Sequence, residues 1–320
     1  MIEVSVIIPC YNASEWIADA LESVARQELN DSEVIVVDDG STDESARIVE
    51  RNFSFARLIK TKNQGASNAR SLGTKESRGE FIQYLDADDL LAPGKLKRQL
   101  EILKISQADV AYGDWQILVS KPDGRCSYKE VRKKKMQHPE IELFTDFWYP
   151  PAVYLFRRSI VEKVGSWNAG LPVIQDARFA LDCALRGARF IYCEGIMAYY
   201  RVHSKDSLSR RNSIAFVRDC LQNATEIEGW WLEHGGLNKE RKAALLQVYD
   251  YISWASFKKD KPTFAKAYSA LKRLKPDYVP FRNKVLRFIY RHTGYCPAAM
   301  LASWYRGFRS LFFAKKSFYQ

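Results

Sequence analysis

Two groups of carboxylates follow apolar runs near the N-terminus of the chain. Asp38 and Asp39 end the run EVIVVDD, and Asp86, Asp88 and Asp89 end the run FIQYLDADD. Negative charges that converge on one place repel each other unless a cation lies among them. Hard oxygen ligands of this kind suit Mg²⁺ or Mn²⁺ held together with substrate phosphates. The pattern predicts a divalent cation with a diphosphate, and the alternative is that these side chains cap the following helices.

The elements that must position these acids alternate between strand and helix. The runs VSVIIP, EVIVVDD, RLIKT and FIQYLDADD predict strands, and helices are predicted over about 14–27, 44–52 and 65–77. Apolar runs without alternation are typical of parallel strands covered on both faces. We therefore predict an α/β fold, a doubly wound and mainly parallel sheet with flanking helices, in which ligands bind beyond the carboxyl ends of the strands.

From about Ala108 the pattern changes, first to mixed strands and then, beyond about Arg210, to a mostly helical region. The runs VAYGDWQIL, TDFWYPPAVYLF and ARFIYC predict strands, and a helix over 176–186 is predicted to stop at Gly187. A domain boundary is therefore expected near Ser209. The predicted parts are a domain over 1–209, with halves of about 1–107 and 108–209, and a region over 210–320.

Positive charge is concentrated in the C-terminal region. Residues 1–200 carry 26 Lys and Arg against 29 Asp and Glu, whereas residues 201–320 carry 23 against 9. A basic part joined to a near-neutral part predicts a polyanionic partner, which is a nucleic acid, an anionic membrane or a phosphorylated ligand. The overall composition, 47% hydrophobic and 27% charged, excludes a disordered or low-complexity chain.

The cysteines and the apolar runs indicate the cellular compartment. The six cysteines are scattered without a C-x-x-C pair, which favours free thiols in a reducing compartment over disulfides or a zinc site. No run approaches the roughly 18–20 apolar residues of a membrane span. The N-terminal run follows Glu3 without a basic leader, so no signal peptide is expected. These features predict a cytoplasmic protein.

The turn after the first predicted strand narrows the choice of nucleotide ligand. It reads Pro9-Cys10-Tyr11-Asn12 and has neither the G-x-G-x-x-G pattern nor a P-loop. Without glycines the backbone cannot approach a dinucleotide pyrophosphate closely. The sequence thus argues against nicotinamide-dependent and ATPase functions.

Four motifs in order resemble the nucleotide-sugar glycosyltransferases of family 2, which have the GT-A fold. They are VSVIIPCYNASEWIADALESVARQ, VVDDGSTD, NQGASNARSLG and GEFIQYLDADDLLAPGKL, and they cover residues 4–100 densely. A weaker continuation, which includes YYRVHSKDSLS, extends the resemblance to about 209. The resemblance implies a GT-A catalytic domain over 1–209, with a nucleotide-binding half at 1–107 and an acceptor half at 108–209.

The resemblance also implies roles for individual residues that bind the donor. Tyr11, with Pro9 and Asn12, matches the turn on which the nucleobase stacks. Asp39 matches the acid that recognises the uracil or ribose, and Arg70 matches a position that contacts the nucleotide. These five residues are the predicted nucleotide site, together with the acid described next.

The run LDADD matches the family's D-x-D motif. Asp86 is expected near the ribose and the metal, and Asp88 on the metal itself, with Mg²⁺ or Mn²⁺ as cofactor. Asp89 is expected to support these acids or to cap a helix. Arg201 and His203, in YYRVHS, match a later motif that approaches the diphosphate or the metal.

A further carboxylate is required if a hydroxyl attacks the anomeric carbon from the face opposite the leaving group. It must act as general base, well away from the metal. The family usually has Glu-Asp at this place and the Asp is the base; this sequence has Gln175-Asp176. The resemblance therefore implies Asp176 as the base, and the alternative is that Asp176 caps its helix.

A stripe of large apolar residues near the C-terminus lies beside cations. It predicts an interfacial helix on anionic lipid. The alternatives are packing on the catalytic domain and RNA binding, and RNA binding is the less favoured of the two. The stripe consists of Leu301, Trp304, Tyr305, Phe308, Leu311 and Phe312, and the cations are Arg306, Arg309, Lys315 and Lys316.

These observations lead to one hypothesis and two alternatives. The hypothesis is an inverting, metal-dependent hexosyltransferase that moves a sugar from a UDP-sugar to a hydroxyl of a lipid-linked or surface glycan. It would serve cell-envelope polysaccharide biosynthesis as a cytoplasmic or peripheral membrane enzyme. The first alternative is a catalytically silent GT-A relative that docks on membranes or partners. The second, a nucleotidylyltransferase, would need a glycine-rich basic N-terminal loop that the sequence lacks.

Overall fold

The computed structural model describes residues 2–120, 126–145, 148–202, 213–279 and 284–312. The strands are β1 (Val4–Cys10), β2 (Ser32–Asp38), β3 (Ala56–Lys60), β4 (Phe81–Tyr84), β5 (Leu90–Leu91), β6 (Val110–Ser120), β7 (Cys126–Arg132), β8 (Leu155–Arg157) and β9 (Phe190–Val202). The helices are α1 (Ile17–Ala25), α2 (Ser45–Asn52), α3 (Ala66–Glu76), α4 (Lys95–Ser106), α5 (Pro139–Thr145), α6 (Arg158–Val164), α7 (Gln175–Leu185), α8 (Ser213–Glu233), α9 (Lys239–Ser256), α10 (Lys261–Leu274), α11 (Lys284–Thr293) and α12 (Tyr295–Phe312).

The strands form one nine-stranded sheet in the described part of the chain. Its order is β3-β2-β1-β4-β8-β6-β9-β5, and β7 pairs with β6 at the side. Strands β1 to β4 are mutually parallel, and β6 is parallel to β9, whereas β5, β7 and β8 run antiparallel to their neighbours. The predicted fold class, a mainly parallel sheet with flanking helices, is confirmed.

The first strand runs one residue beyond the proline at which the sequence predicts its end. Pro9 lies inside β1 and pairs with Val37 of β2, whereas the pairing of β1 with β4 ends at Ile7. The Ile7 carbonyl accepts a hydrogen bond from Leu85 on the β4 side, so Pro9, two residues later, faces that side too. Because β4 has ended there, the missing N–H of Pro9 costs no ladder hydrogen bond.

Helix α3 packs unusually closely on the sheet because it carries a glycine at the contact. A methyl group placed on Gly73 would lie 2.4 Å from Cγ2 of Ile7. Further along the same face, Ala69 is buried against Ile35 and Val37 of β2. These small residues set the height of α3 above the sheet, and with it the position of Arg70.

The aromatic-rich run TDFWYPPAVYLF does not form the predicted strand. Its described part includes the end of α5, a 3-10 turn over Pro151–Val153 and the three-residue strand β8. Two consecutive prolines, Pro150 and Pro151, lack the N–H groups that a central strand needs, and they begin the turn. Phe156 pairs within β8 with Ile82 and Val110, whereas Tyr149, Val153 and Tyr154 are buried around the turn.

The chain divides into two compact units, Met1–Asn223 and Ala224–Gln320. The second unit contains α9 to α12 and the end of α8, as expected for a helical C-terminal region. The boundary predicted near Ser209 lies outside the described residues, as do Lys315 and Lys316. None of the helices in the described ranges is both long and apolar enough to cross a membrane.

The predicted apolar stripe on α12 is described only at its beginning. The side chains of Leu301 and Trp304 are exposed, Trp304 by 66%. The side chains of Tyr305, Arg306, Phe308, Arg309, Leu311 and Phe312 lie outside the described set. Where the stripe is described, it does not pack into the core of its own unit.

Candidate active site

The turn after β1 is fixed by hydrogen bonds to the turn after β2. Asn12 has a left-handed backbone, φ +49°, which asparagine adopts more readily than most residues. Its Oδ1 accepts a hydrogen bond from the Thr42 N–H at 2.8 Å, and its own N–H donates to Ser41 Oγ at 2.9 Å. Tyr11, between Pro9 and Asn12, is 51% exposed. The turn is held rigidly while its tyrosine ring stays accessible.

Asp39 holds the loop that leads into α3. Its carboxylate is nearly buried, and its two oxygens accept backbone N–H groups of Gln64 at 2.9 Å and Gly65 at 2.7 Å. The neighbouring Asp38 accepts the Ser41 N–H at 3.3 Å. Asp39 thus has a structural partner on each oxygen, and its predicted contact with the nucleotide stays a prediction.

The buried Arg70 of α3 forms an ion pair with Asp86, which follows β4. Its guanidinium also lies over the Trp167 ring, 4.5 Å from the ring centroid, in a cation–π contact. The Nε and Nη1 groups of Arg70 have no hydrogen-bond acceptor among the described residues. Arg70 therefore keeps two buried donors beside a carboxylate that is partly exposed.

The acids after β4 are tied to the end of β9. Asp89 is buried, and its Oδ1 accepts the Arg201 N–H at 2.9 Å. The Arg201 Nε donates to the Asp88 carbonyl at 2.9 Å, and its Nη2 pairs with Asp19 at 2.8 Å. Burial raises the pKa of the Asp89 carboxyl, and the charges of Asp88 and Asp86 raise it further. Arg201 thus supports the acidic loop through its backbone and side chain.

Asp176 lies in the first turn of α7, where a negative charge is favoured by the helix dipole. It is not the N-cap, because Ile174 occupies that position. Its Oδ2 accepts a hydrogen bond from the indole N–H of Trp148 at 2.7 Å, and its Oδ1 accepts the Ala177 N–H at 2.9 Å. Burial nevertheless raises the pKa of Asp176, which makes its carboxylate a stronger base than an exposed one.

The pKa of the Tyr200 hydroxyl is raised both by the acids after β4 and by Asp176. Burial raises the pKa of the Tyr200 hydroxyl, and the charges of Asp89, Asp88, Asp176 and Asp86 raise it further. The pKa of Asp176 is in turn raised by the charge of Asp86. The structure therefore brings the acids of the D-x-D run and the predicted base into one electrostatic neighbourhood.

Gln175, the residue before Asp176, uses both ends of its side-chain amide. Its Oε1 accepts a hydrogen bond from the Ser67 hydroxyl at 2.5 Å, and its Nε2 donates to the Pro172 carbonyl at 3.1 Å. A side-chain amide both accepts and donates hydrogen bonds, whereas an ionised carboxylate only accepts them. The side chain thus links α3 to the start of α7.

Aromatic residues that are not among the predicted site residues surround Asp176 and Arg70. Trp148 and Tyr200 have ring centroids 5.2 Å apart, and Trp148 contacts Asp176. Trp167 lies under Arg70 and stacks on Phe179 of α7, with centroids 4.2 Å apart. No local pattern marks these rings as different from core residues. His203, the remaining predicted site residue, lies outside the described residues.

Comparison with known proteins identifies the family. The family model described as Glycosyl transferase family 2 matches residues 5–165. A Rickettsia typhi protein described as an uncharacterized glycosyltransferase is 31% identical over 249 residues, which are 77% of this chain and 74% of the relative. The chain therefore belongs to glycosyl transferase family 2.

Another relative is matched over less of its length. The Bacillus subtilis protein EpsJ, described as an uncharacterized glycosyltransferase, is 30% identical over 205 residues, or 60% of this chain. This match spans 57% of EpsJ. A separate match, to a Rickettsia bellii protein described as an uncharacterized glycosyltransferase, spans 15% of that protein. The chain thus corresponds to part of the length of these proteins.

Solved structures share the fold at low sequence identity. Residues 1–349 of Staphylococcus aureus TarS, in complex with UDP-GlcNAc, give a TM-score of 0.63 at 19% identity, with coverage of 96% of this chain and 92% of that one. The Pyrobaculum calidifontis mannosyltransferase PcManGT, in complex with GDP-Man and Mn²⁺, gives 0.60 at 19% identity, with coverage of 96% and 80%. The fold is that of GT-A glycosyltransferases.

Proposed function

We propose that this chain is an inverting, metal-dependent glycosyltransferase that moves a hexose from a nucleotide-sugar donor, a UDP-sugar, to a hydroxyl of a glycan. One observation carries the proposal: Trp148 donates its indole N–H to Asp176 at 2.7 Å and lies 5.2 Å, ring to ring, from Tyr200, and the next residue, Arg201, binds the loop of Asp88 and Asp89. Donor departure needs charge stabilisation, and the attacking hydroxyl needs a base. The two groups of carboxylates supply these two functions from different elements.

The donor side is assigned to the turn after β1 and to α3. Tyr11 offers an exposed ring on which the nucleobase would stack, and the Asn12 turn keeps it in place. Arg70 has two buried donor groups, Nε and Nη1, without an acceptor among the described residues, and we assign Arg70 to an anionic ligand. Pro9 and Asp39 are assigned to the same nucleotide site. The donors bound to TarS and PcManGT, UDP-GlcNAc and GDP-Man, support a nucleotide sugar as ligand.

The acids after β4 fit a divalent cation. Asp86 and Asp88 are partly exposed, and the buried Asp89 has an Oδ2 without a hydrogen-bond partner among the described residues. In the described ranges no three His, Cys, Asp or Glu side chains form a metal cage, so two carboxylates would share the ion with diphosphate oxygens, as Mg²⁺ prefers. We assign Asp88, with Asp86, to Mg²⁺ or Mn²⁺. When bound, the ion would stabilise the negative charge of the departing diphosphate.

Asp176 is assigned as the general base. An oxygen of the acceptor attacks the anomeric carbon, and the bond from that carbon to the donor phosphate breaks with its electron pair on the leaving diphosphate. The acceptor's proton passes to the Asp176 carboxylate, whose raised pKa suits this task. Attack from the face opposite the leaving group inverts the anomeric configuration. Arg201 is assigned to hold the acidic loop beside the diphosphate, and the contact of His203 with the diphosphate or the metal stays a prediction.

Turnover by single variants tests the assignment. We expect the full chain to release nucleoside diphosphate from a UDP-hexose in the presence of Mn²⁺, with UDP-GlcNAc and GDP-mannose as the first probes. Asp176→Asn should lower the rate by about 10²–10⁴-fold, the usual contribution of a general base. Asp88→Asn should lower the rate to that of the wild-type chain without Mn²⁺, and added Mn²⁺ should no longer increase it.

The matched control is Asp182→Asn on the same helix, where Asp182 pairs with Arg178 at 2.8 Å. It should leave turnover within a few-fold of the wild-type rate. Equal rates for the Asp176 and Asp182 variants would remove the base assignment. A chain whose melting temperature is unchanged by both nucleotide sugars and Mn²⁺ would favour the catalytically silent alternative. The anomeric proton of the product, read by NMR, tests inversion.

We further propose that α11 and α12 attach the enzyme to an anionic membrane, where a lipid-linked saccharide would be the acceptor. On α11, Phe288 is 65% exposed, and the exposed cations Lys284, Arg287 and Arg291 lie beside it. On α12, Met300 is 58% exposed. Exposed apolar side chains rimmed by cations fit the boundary of an anionic lipid surface.

The opposite side of the same helices is packed inside the second unit. Its members are the partly buried Leu286, Ile289 and Tyr290 and the buried Tyr295, Ala298, Ala299 and Ala302. The outer face of α11 and α12 is therefore held in shape by a core beneath it. A preformed face costs less ordering entropy on lipid than a helix that must first fold.

Co-sedimentation with vesicles tests this attachment. The full chain should pellet with vesicles containing phosphatidylglycerol more than with phosphatidylcholine alone, because each cation near an anionic surface contributes about 1 kcal/mol. Phe288→Asp should reduce the pelleted fraction. Ile105→Asp, which changes an 84% exposed residue of the first unit, is the control. Equal pelleting of the two variants with anionic vesicles would contradict the proposed face.

A further inference from the structure

Among the described residues, the side chain that donates a hydrogen bond to Asp176 is the indole of Trp148. The Trp148 Nε1–H donates to Asp176 Oδ2 at 2.7 Å, which is a short bond for an N–H donor to a carboxylate. The other oxygen, Oδ1, accepts the Ala177 N–H from within α7 itself. The rotamer of Asp176 is thus fixed from two sides, once by its own helix and once by a residue 28 positions earlier in the chain.

The ring of Trp148 is itself held by other aromatic residues. Its centroid lies 5.6 Å from that of Trp115 and 5.2 Å from that of Tyr200, and both contacts are edge-to-face. Trp115 is buried, whereas Trp148 remains 36% exposed. Residues of β6 and β9 therefore hold the Trp148 ring in place. The exposed part of the indole remains accessible to a ligand that binds beside Asp176.

We infer that Trp148 is a positioning residue for Asp176, which it orients and tunes for proton transfer from the acceptor. The inference rests on the proposed function of Asp176 as base. A hydrogen bond donated to the ionised carboxylate favours the charged form. It also leaves each carboxylate oxygen with a free lone pair for the acceptor hydroxyl.

The groups that act on Asp176 decide the direction of the expected pH effect. Burial raises the pKa of Asp176, whereas the bonds from Trp148 and Ala177 and the charge of Arg70 lower it, and the charge of Asp86 raises it. The tyrosines whose own pKa values Asp176 raises, Tyr154 and Tyr200, are neutral in this range. Loss of the indole N–H must therefore move the pKa of Asp176 upward.

Trp115 provides a matched control in the same aromatic cluster. Its Nε1 is buried without a hydrogen-bond partner in the described part of the chain. Trp115→Phe and Trp148→Phe therefore remove the same ring atoms, but only the second removes a bond to Asp176. Replacement of Trp148 by benzothienylalanine, which keeps the bicyclic shape without the N–H, separates the hydrogen bond from packing.

Indole NMR tests the contact without any substrate. In the full chain labelled with ¹⁵N-tryptophan, eight indole signals are expected, and Trp148→Phe identifies one of them. At pH 7, Asp176→Asn should move that signal more than the other seven, because the acceptor loses its charge. If the Trp148 signal does not respond to Asp176→Asn, the inference is wrong.

Kinetics then test the role in the reaction. The acidic limb of the kcat profile should lie about one pH unit higher in Trp148→Phe and in the benzothienylalanine variant than in Trp115→Phe, with a smaller change in KM. Coincident profiles for the Trp148 and Trp115 variants would overturn the inference while leaving the base assignment intact. No turnover by the wild-type chain with any donor would instead count against the proposed function, and the NMR result would still decide the contact.

Discussion

Two neighbouring side chains at the start of α7 have different tasks. Asp176 faces Trp148 and senses the charges of Arg70 and Asp86, whereas the adjacent Gln175 connects α7 to α3. The amide at 175 places no second negative charge beside the proposed base. Gln175 donates a hydrogen bond to the Pro172 carbonyl. An ionised glutamate at this position could not make that bond, because it has no proton to donate.

Gln175→Glu should therefore destabilise this chain, although it restores the family's usual Glu-Asp pair. The ionised side chain would face the Pro172 carbonyl without a proton to donate, and the side chain is only 9% exposed. We expect a loss of about 1–3 kcal/mol in the free energy of unfolding. Thermal melting measures it, with Gln247→Glu, an exposed change on α9, as the control. A melting temperature equal to or above the wild-type value would show that the pocket accepts a carboxylate.

At the scale of elements, the turns after β1 and β2 are locked together by Asp43. Its carboxylate accepts the Ser14 N–H at 3.0 Å and both the N–H and hydroxyl of Ser45, at 2.9 and 2.5 Å. Ser45 in turn accepts the Ala13 N–H at 2.8 Å. This network fixes the start of α2 against the loop before α1, and so fixes the turn that carries Tyr11.

Asp43→Asn should destabilise the protein in a pH-dependent way. Although burial acts to raise it, the bonds from Ser45 and Ser14 lower the pKa of Asp43 from 3.8 to about 2. A carboxyl whose folded pKa is depressed contributes stability above its unfolded pKa and loses it as the pH falls through the folded value. We expect a deficit of about 2 kcal/mol at pH 7 that shrinks between pH 4 and 2. Unfolding measured at several pH values checks this, and a deficit independent of pH would contradict it.

The sequence predicts those features of the structure that depend on residues close together in the chain. Strands β1 to β4 and helices α1 to α3 follow from continuous apolar runs and helical spacing, and each is found within a few residues of its predicted place. The run from Thr145 to Phe156 has strand-like composition, yet Pro150 and Pro151 turn it. The contact of Trp148 with Asp176 joins residues 28 positions apart and depends on how α5 and α7 pack, which no local pattern records.

At the scale of the whole molecule, charge and chemistry are divided along the chain. The acidic residues proposed for catalysis lie in the first unit, whereas residues 201–320 carry 23 Lys and Arg against 9 Asp and Glu. An attraction of that origin is screened over about 8–10 Å at physiological ionic strength. We therefore expect vesicle binding by the full chain to weaken as salt rises from 0.05 to about 0.5 M. Binding that is unchanged by salt would show that the cations of α11 are not responsible.

The central claim is that Asp88 and Asp86 hold a divalent cation against the diphosphate of a donor. Anomalous scattering from crystals of the full chain grown with UDP and Mn²⁺ tests it most directly. We predict a manganese peak beside the Asp88 carboxylate, in contact with the UDP phosphates, with the uracil next to Tyr11. A nucleotide bound elsewhere, or no manganese at Asp88 in crystals that contain UDP, would contradict the account.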